Sequence, residues 1–360
     1  CIMSPYRSLQ AEIQILQLPD PPPLHFAAMN GNSDEIQRLL VDGVDVNARD
    51  NRGLTALHYA AGSGSAEAMS LLIDHGAVVD TPNNQGLTPL HFASGSGDQD
   101  IRIAPRWTLE LTPVRGHFAP GKGNVTVVML LIQHGAAVNG ETPLEETPLH
   151  FAAASGNVAV TRALIESGAA VNSLDLRGLT PLHFATGASQ EGVQTYLVRP
   201  SDLPWPGPTT SGYFPAGIDK TSVVRLLVDH GAELNGRRSI YGQTPLHFAV
   251  RSGSGEASAV LLQLGCDANP KDSSGLTPLH IAAANANMHA ARLLIKHGAD
   301  VNSADYNGRR PLHYAANSDS LDIVDLLLEH NADPTVQDKS GDTPADRADP
   351  YGEVDLRLSP

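Results

Sequence analysis

The apolar residues of this chain recur in a pattern about 33 residues long. A run such as Leu-His-Phe-Ala-Ala is followed by a short polar stretch. A second apolar run follows, and then a polar stretch rich in Asn and Asp. Within the two apolar runs the spacing is helical, so each unit predicts two short helices joined by a turn. Because two such helices cannot bury both apolar faces alone, the pattern predicts units that are stabilised by stacking.

A histidine marks each unit, within the tetrapeptide Thr-Pro-Leu-His or a near variant. These residues are His25, His58, His91, His150, His183, His247, His280 and His313. Five of the seven successive spacings are 33 residues, and the other two are 59 and 64. A fixed period of this length predicts a solenoid in which units three and five carry insertions.

Signals for helix starts and ends lie at fixed places in the unit. The Thr of the tetrapeptide is predicted to cap the first helix with its hydroxyl, and Pro suits the first helical position. In the six units without an insertion, a Leu lies 14 residues after the motif histidine and a Gly or Asn follows it four residues later, as in Gly43 and Asn331; leaving out the insertions gives the same spacing in units three and five, at Leu131 and Leu227. Both residue types tolerate the left-handed conformation that ends a helix, so the second helix is predicted to end there.

The polar stretch between units, such as Val-Asn-Ala-Arg-Asp-Asn-Arg-Gly, has residues typical of a β-turn and predicts a short β-hairpin, here called a finger. Residues 20–337 are interpreted as eight repeats. Residues 1–19 precede them, and helical spacing there predicts an N-terminal capping helix. Residues 338–360 are interpreted as a degenerate C-terminal capping repeat, in which Ala345 and Asp346 replace the Leu-His pair.

These motifs together resemble the ankyrin-repeat family over about residues 20 to 349. The resemblance implies an all-α solenoid of helix-turn-helix units with short β-hairpin fingers, forming a single elongated domain. It also implies that fingers and first helices line a concave groove that binds a partner protein, and that the repeats themselves carry no active site.

Under this resemblance the partner contacts lie where the units differ, at the finger tips and at the turn end of the first helices. The candidate residues are Asn51, Arg52, Asn84, Gln85, Leu176, Arg177, Ile240, Tyr241, Arg251, Tyr306, Asn307 and Arg309. Tyr and Arg dominate interface energetics, which favours Tyr241, Tyr306 and Arg177 among them.

The insertions span about residues 98–123 and 199–219, and both are rich in Pro, Gly and aromatic residues. They contain both tryptophans of the chain, Trp107 and Trp205, which are candidate anchors for a partner. Two other interpretations stay open. The segments could be disordered excursions, or they could be sequence that does not belong in the mature chain, because removing them restores the period.

Composition limits the function classes. A formal net charge of −15 disfavours nucleic acid and anionic lipid, and no apolar run is long enough to span a membrane. Two cysteines indicate a reducing compartment, so an intracellular location, cytoplasmic or nuclear, is predicted. The predicted molecule is a monomeric, non-enzymatic scaffold without a cofactor. The alternative is a targeting or regulatory module of a larger enzyme, ubiquitin-ligase adaptor or channel, which the opening Cys1 leaves open.

Two candidate chemistries were weighed. The stretch from Gly116 to Gly123 approaches a phosphate-binding loop but lacks its final Ser or Thr, so nucleotide binding is not expected. The motif histidines lie one per layer, about 10 Å apart, which is too far for two to share a metal ion. They are interpreted as structural, bonding to backbone groups at the finger base. No metal site is predicted.

Overall fold

The computed structural model describes residues 21–95, 124–187, 220–235, 239–348 and 353–358. The predicted capping helix, the two insertions, Trp107, Trp205 and the Gly116 to Gly123 stretch lie outside these residues. The chain divides into two compact units. The N-terminal unit comprises Cys1–Pro143 and Glu166–Ala169, and the C-terminal unit comprises Leu144–Ile165 and Ala170–Pro360.

The described helices of the N-terminal unit alternate between first and second helices of a repeat. They are α1 (Pro23–Met29), α2 (Ser33–Val41), α3 (Ala56–Ser63), α4 (Ala66–Asp74), α5 (Pro89–Ser94) and α6 (Val125–Gln133). The first helices pack on one another in the order α1, α3, α5, and the second helices in the order α2, α4, α6. This is the stacking that the period predicted.

The C-terminal unit continues the alternation. Its elements are α7 (Pro148–Ser155), α8 (Val158–Glu166, whose last residue belongs to the other unit), α9 (Pro181–Ala185), α10 (Thr221–Asp229), α11 (Pro245–Arg251), α12 (Gly255–Gln263), α13 (Pro278–Ala284), α14 (Met288–Lys296), α15 (Pro311–Asn317), α16 (Leu321–Glu329), a 3₁₀ turn (Ala345–Arg347) and α17 (Glu353–Leu358). The first helices α7, α9, α11, α13 and α15 pack in sequence order, and α15 packs on the 3₁₀ turn.

Small side chains permit the close approach of the first helices. Ala152, Ala249, Ala282 and Ala315 are fully buried within the C-terminal unit. The core between the two helices of each repeat is aliphatic, and the Leu four residues before the glycine or asparagine that ends each second helix is buried in every described repeat. Low aromatic content therefore does not weaken the core, because alanine and leucine fill the narrow space between layers.

The second helices end as the sequence predicted. The glycine that follows has φ between 85° and 91° at all seven positions, and Asn331 has φ 64° at the eighth. Only glycine adopts this left-handed conformation freely, and Asn tolerates it best among the other residues. The prediction of a left-handed stop at each second helix is confirmed.

The fingers differ from the prediction. The expected short β-hairpins are not formed, since the described residues contain no β-strand. In a typical finger only two backbone bonds close the turn: Asp50 N to Leu54 O at 2.9 Å and Gly53 N to Asp50 O at 3.0 Å. Two bonds are too few to form a strand ladder. The amides of Arg52 and Leu54 donate instead to the side chain of Asp50.

Residues after the last finger form a compact end to the C-terminal unit. Helix α17 packs on α16, with Val354 and Leu358 buried. Arg357 Nε donates to Asp325 Oδ1 at 2.6 Å, and this pair is solvent-exposed. The interpretation of residues 338–360 as a capping repeat stays a prediction, as do the other repeat boundaries.

Candidate functional site

The base of each finger is held by the motif histidine of the preceding first helix. His58 Nε2 lies 3.1 Å from Leu87 O, and the same contact joins His150 to Leu179 O and His247 to Leu276 O. A carbonyl oxygen only accepts, so Nε2 must carry the proton and Nδ1 must be an acceptor. Each ring therefore ties its own helix to the end of the next finger.

In six of the eight repeats, Nδ1 of the motif histidine lies within hydrogen-bond distance of both the amide and the hydroxyl of the Thr that begins the helix. Thr55 N donates to His58 Nδ1 at 3.1 Å, and the Thr55 hydroxyl lies 2.9 Å from the same nitrogen. The sequence predicted that this hydroxyl would cap the helix, and Thr55 and His58 do form a reciprocal capping box, in which the Thr55 side chain faces the His58 amide and the ring accepts from the Thr55 amide. The hydroxyl also lies beside the ring nitrogen, so the helix begins with a Thr–His pair.

Burial sets the charge of these rings. It lowers the pKa of His58, His150 and His280 to about 4 and that of His183 to about 3, although the carbonyl contact raises each pKa in part. The rings are therefore neutral near pH 7. A neutral ring packs edge-on against the aromatic residue of the next first helix, as His183 does on Phe248 with centroids 5.6 Å apart.

A second set of histidines caps the second helices. His75, His134, His230, His297 and His330 each stand at the C-cap, with Nδ1 between 2.8 and 3.0 Å from the carbonyl four residues earlier. Within the described residues, no group of three or more His, Cys, Asp or Glu side chains is arranged to hold a metal ion.

Finger tips are joined to one another by backbone hydrogen bonds. In the C-terminal unit, Leu176 N donates to Leu144 O at 2.9 Å and Ile240 N to Arg177 O at 2.8 Å. The series continues from Ser273 N to Tyr241 O, from Tyr306 N to Ser274 O and from Lys339 N to Asn307 O. In the N-terminal unit, Asn84 N donates to Arg52 O at 3.0 Å. Each unit therefore presents its tips in a fixed row.

The tip row of the C-terminal unit is largely apolar. Leu176 is 53% exposed, Ile240 62% and Tyr306 58%, and Leu144 and Tyr241 are also exposed. Of these, Leu144 was missed by the sequence reasoning, because its finger departs from the usual pattern. Glu145 takes the place of the usual glycine there and adopts φ 59°. The tips of the N-terminal unit are polar instead, with Asn51, Asn84 and Gln85 exposed.

The candidate arginines are held by the chain's own carboxylates and rings. Arg177 is only 15% exposed and contacts Asp175 at 2.6 Å and Glu146 at 3.1 Å, with its guanidinium 5.3 Å from the Phe184 ring centre. Both carboxylates are buried. This arginine therefore presents a ring-stacked face rather than a free charge. No signal in the sequence indicates that Glu146 takes part in this contact.

Arg52, Arg251 and Arg309 are held in related ways. Arg52 bonds to Asp50 and Tyr59, and Arg309 contacts Asp305 at 2.9 Å and lies 4.9 Å from the Tyr314 ring centre. Arg251 donates to Gln243 Oε1 at 3.2 Å. The remaining candidate, Asn307, is exposed beside Tyr306.

Among the described residues, no helix combines the length and the apolar character needed to cross a membrane. The sequence model of the family described as ankyrin repeats (3 copies) matches residues 24–103, 117–203, 216–272 and 255–338, which is most of the chain. No curated protein matches the chain significantly.

Proposed function

Because the chain belongs to the ankyrin-repeat family, whose repeats are general protein–protein interaction modules and typically non-catalytic, we propose that it is a scaffold that binds a protein partner through the finger tips and first helices. The proposed surface of the C-terminal unit is the tip row, defined as Leu144, Leu176, Ile240, Tyr241 and Tyr306.

The exposure of this tip row is the observation that carries the proposal. Several large apolar side chains that stay exposed at the tips of neighbouring fingers mark an interaction surface, since water contacts would otherwise favour polar residues there, as at the intervening Ser273 and Ser274. Polar residues would fit each of these turn positions equally well, as Asn51 and Asn84 do in the N-terminal unit. The folding of the finger therefore does not explain why Leu, Ile and Tyr occupy the tips.

Rigidity of the row supports the same proposal. The backbone bonds between successive tips hold the apolar side chains at fixed places before a partner arrives, which reduces the ordering cost of binding. The stacked arginines behind the tips add flat, ring-backed surface at the same edge. Aromatic and arginine side chains in such a setting are those that contribute most to binding energy.

The proposal is tested by replacing Leu176, Ile240 and Tyr306 together with serine and comparing the proteins captured by the variant and by the unchanged chain. We expect specific partners to be lost from the serine variant, because truncating central apolar anchors costs about 2 kcal/mol or more for each anchor. Quantitative mass spectrometry of the captured fractions measures the loss.

The matched control places serine at three exposed positions on the second helices, Asp229, Glu256 and Glu329, which lie away from the tips. Partners that depend on the tip row are retained by this control. If both variants lose the same proteins, or neither loses any, the tip row is not the binding surface.

A further inference from the structure

Five of the described fingers contain a buried aspartate at the start of the turn. They are Asp50, Asp175, Asp272, Asp305 and Asp338. In each, Oδ1 accepts from the backbone amides two and four residues later; for Asp272 these are Ser274 N at 2.8 Å and Leu276 N at 2.9 Å. This bond pair shapes the turn and leaves the second oxygen, Oδ2, for another donor.

An arginine of the chain reaches that second oxygen in four of the five fingers. Arg52 bonds to Asp50, Arg177 to Asp175, Arg309 to Asp305 and Arg347 to Asp338. In two of these fingers a tyrosine nine residues after the aspartate also donates to Oδ2, namely Tyr59 and Tyr314. The buried carboxylate is thus neutralised by a guanidinium in every one of the four, as burial of a charge requires.

Asp272 is the exception. It is only 6% exposed, and no donor within the described part of the chain reaches its Oδ2. In the other fingers the donor stands two, four or nine residues after the aspartate. The corresponding residues after Asp272 are Ser274, Leu276 and Ile281, and none of them carries a cation. Lys271, its neighbour in sequence, donates to Ala304 O at 2.8 Å.

A finger that lacks the buried aspartate also lacks the arginine. Asn83 takes the aspartate position in the N-terminal unit and forms the same two backbone bonds, both at 2.9 Å. The position two residues later is Gln85 there, not arginine. A finger without the buried charge therefore needs no guanidinium, whereas the Asp272 finger has the charge and, among the described residues, no guanidinium that pairs with it.

The surroundings of Asp272 suit a long cationic side chain. The Tyr306 ring covers Gly275, where a Cβ atom would lie 2.8 Å from ring atom Cδ1, so an aromatic wall stands beside the turn. Ile281 forms a buried aliphatic floor in place of the phenylalanine or tyrosine of the other repeats. Asp272 keeps 6% of its surface exposed, and Ser273 and Ser274 beside it are exposed, so this side of the turn faces solvent.

We propose that Asp272 Oδ2 receives an arginine side chain of the protein partner, in the place that the chain's own arginines fill in the other fingers. The guanidinium donates to Oδ2, and its flat face and methylene stem lie against Tyr306. Guanidinium is the favoured chemistry because the four equivalent oxygens of this molecule are all met by it. This inference rests on the proposed function, because it names a side chain of that partner.

The test uses the full chain and a defined probe, the peptide acetyl-Gly-Leu-Arg-Leu-Gly-amide, with its citrulline counterpart as the neutral control. Amide NMR signals of Ser274 and Leu276 report on Asp272, because both amides bond to its carboxylate. We expect saturable shifts at these two signals and at Tyr306 with the arginine peptide. Binding of the citrulline peptide is expected to be at least about tenfold weaker. Equal responses to the two peptides would overturn the inference.

Three variants sharpen the test. Ser274→Arg supplies an internal guanidinium from the position that Arg52 and Arg177 occupy, so it should fill the site and weaken peptide binding at least about tenfold. Ser273→Arg adds the same charge one residue earlier, at the exposed tip, and should leave peptide binding unchanged. Asp272→Asn keeps the turn, as Asn83 does, and should remove binding. Undiminished binding to Ser274→Arg or Asp272→Asn would overturn the inference.

The result separates this inference from the proposed function. If the peptide binds as expected but no partner depends on the tip row, the arginine site stands and the tip-row proposal fails. If partners depend on the tip row but are captured equally by Ser274→Arg, the tip row stands and the arginine site fails.

Discussion

The base of a finger is nearly the same from repeat to repeat in this molecule, whereas the tip varies. At the base, every described repeat from the second to the eighth repeats one arrangement, in which a buried neutral histidine accepts from the backbone amide that begins its helix. Nε2 meets the next finger's carbonyl wherever that contact is described, for example at His58 and His280. At the tip, the residues change from Asn to Leu, Ile, Tyr and Ser. The base is uniform because it carries the stacking energy, whereas the tip can vary because the turn needs only an acceptor and a left-handed residue.

The largest effect is expected from acid, which acts on the buried histidines at the finger bases. A histidine with a folded-state pKa near 4 and an unfolded-state pKa near 6.5 is protonated more readily in the unfolded chain, so the free energy of unfolding falls as pH drops from about 6.5 to about 4. Each such ring should cost about 2 kcal/mol by pH 5. Urea unfolding followed by circular dichroism at pH 7 and pH 5 measures this loss. Unfolding curves that coincide would contradict it.

The second largest effect is expected at Arg177. Arg177→Ala leaves Asp175 and Glu146 buried without their cation, and we expect the free energy of unfolding to fall by about 3 kcal/mol. Arg309→Ala should cost only about 1 kcal/mol, because Tyr314 still donates to Asp305 at 2.8 Å. Urea unfolding of the two variants compares them. Adding Glu146→Gln to Arg177→Ala should recover part of the loss, and no recovery would show that the paired charge is not the cause.

The Asp305 and Asp272 fingers of the C-terminal unit differ in whether a described arginine pairs with the buried aspartate. Asp305→Asn removes the charge that Arg309 and Tyr314 both face, and should lower the free energy of unfolding by about 2 kcal/mol. Asp272→Asn should change it by less than about 0.5 kcal/mol, because no cation is left unpaired. Thermal unfolding of both variants in parallel tests this. A large loss in Asp272→Asn would mean that this carboxylate has a stabilising cation of its own.

The smallest effect on stability is expected at the tips. Ile240→Ser and Tyr306→Ser should each shift the free energy of unfolding by no more than about 0.5 kcal/mol, because both side chains are more than half exposed. Leu246→Ser, at a buried position of α11, serves as the control and should cost several kcal/mol. If the tip variants unfold as readily as the control, the tips belong to the core of the finger and not to a binding surface.

The fold was predictable because it follows from local signals repeated many times. Period, helix starts, helix stops and the aliphatic core can all be found in the residues themselves, and the left-handed glycines lie where they were predicted. The hairpins were not predictable in the same way. Asn, Asp and Gly indicate a turn, but whether its two arms pair depends on how many backbone bonds the packing of neighbouring repeats leaves room for.

The candidate site was predictable only in outline. Variation at the tips identified Leu176, Ile240, Tyr241 and Tyr306, which the structure places in the exposed tip row. The pairing of Arg177 with Glu146 could not be found, because these residues are 31 positions apart and meet only when successive repeats stack. One signal was available in the sequence: Ser274 stands where Arg52 and Arg177 stand, which marks the Asp272 finger as different.

The sequence by itself determined which segments become helices, where they stop and which residues fill the core, because those choices depend on interactions within about one repeat. Only the tertiary structure decided how deeply each finger aspartate is buried and which side chains of neighbouring fingers join it, because both depend on the stacking of successive layers. Glu146 meets Arg177 from 31 positions away in this manner, and within the described residues no guanidinium reaches Asp272 Oδ2, whereas Asp175 and Asp305 each have one.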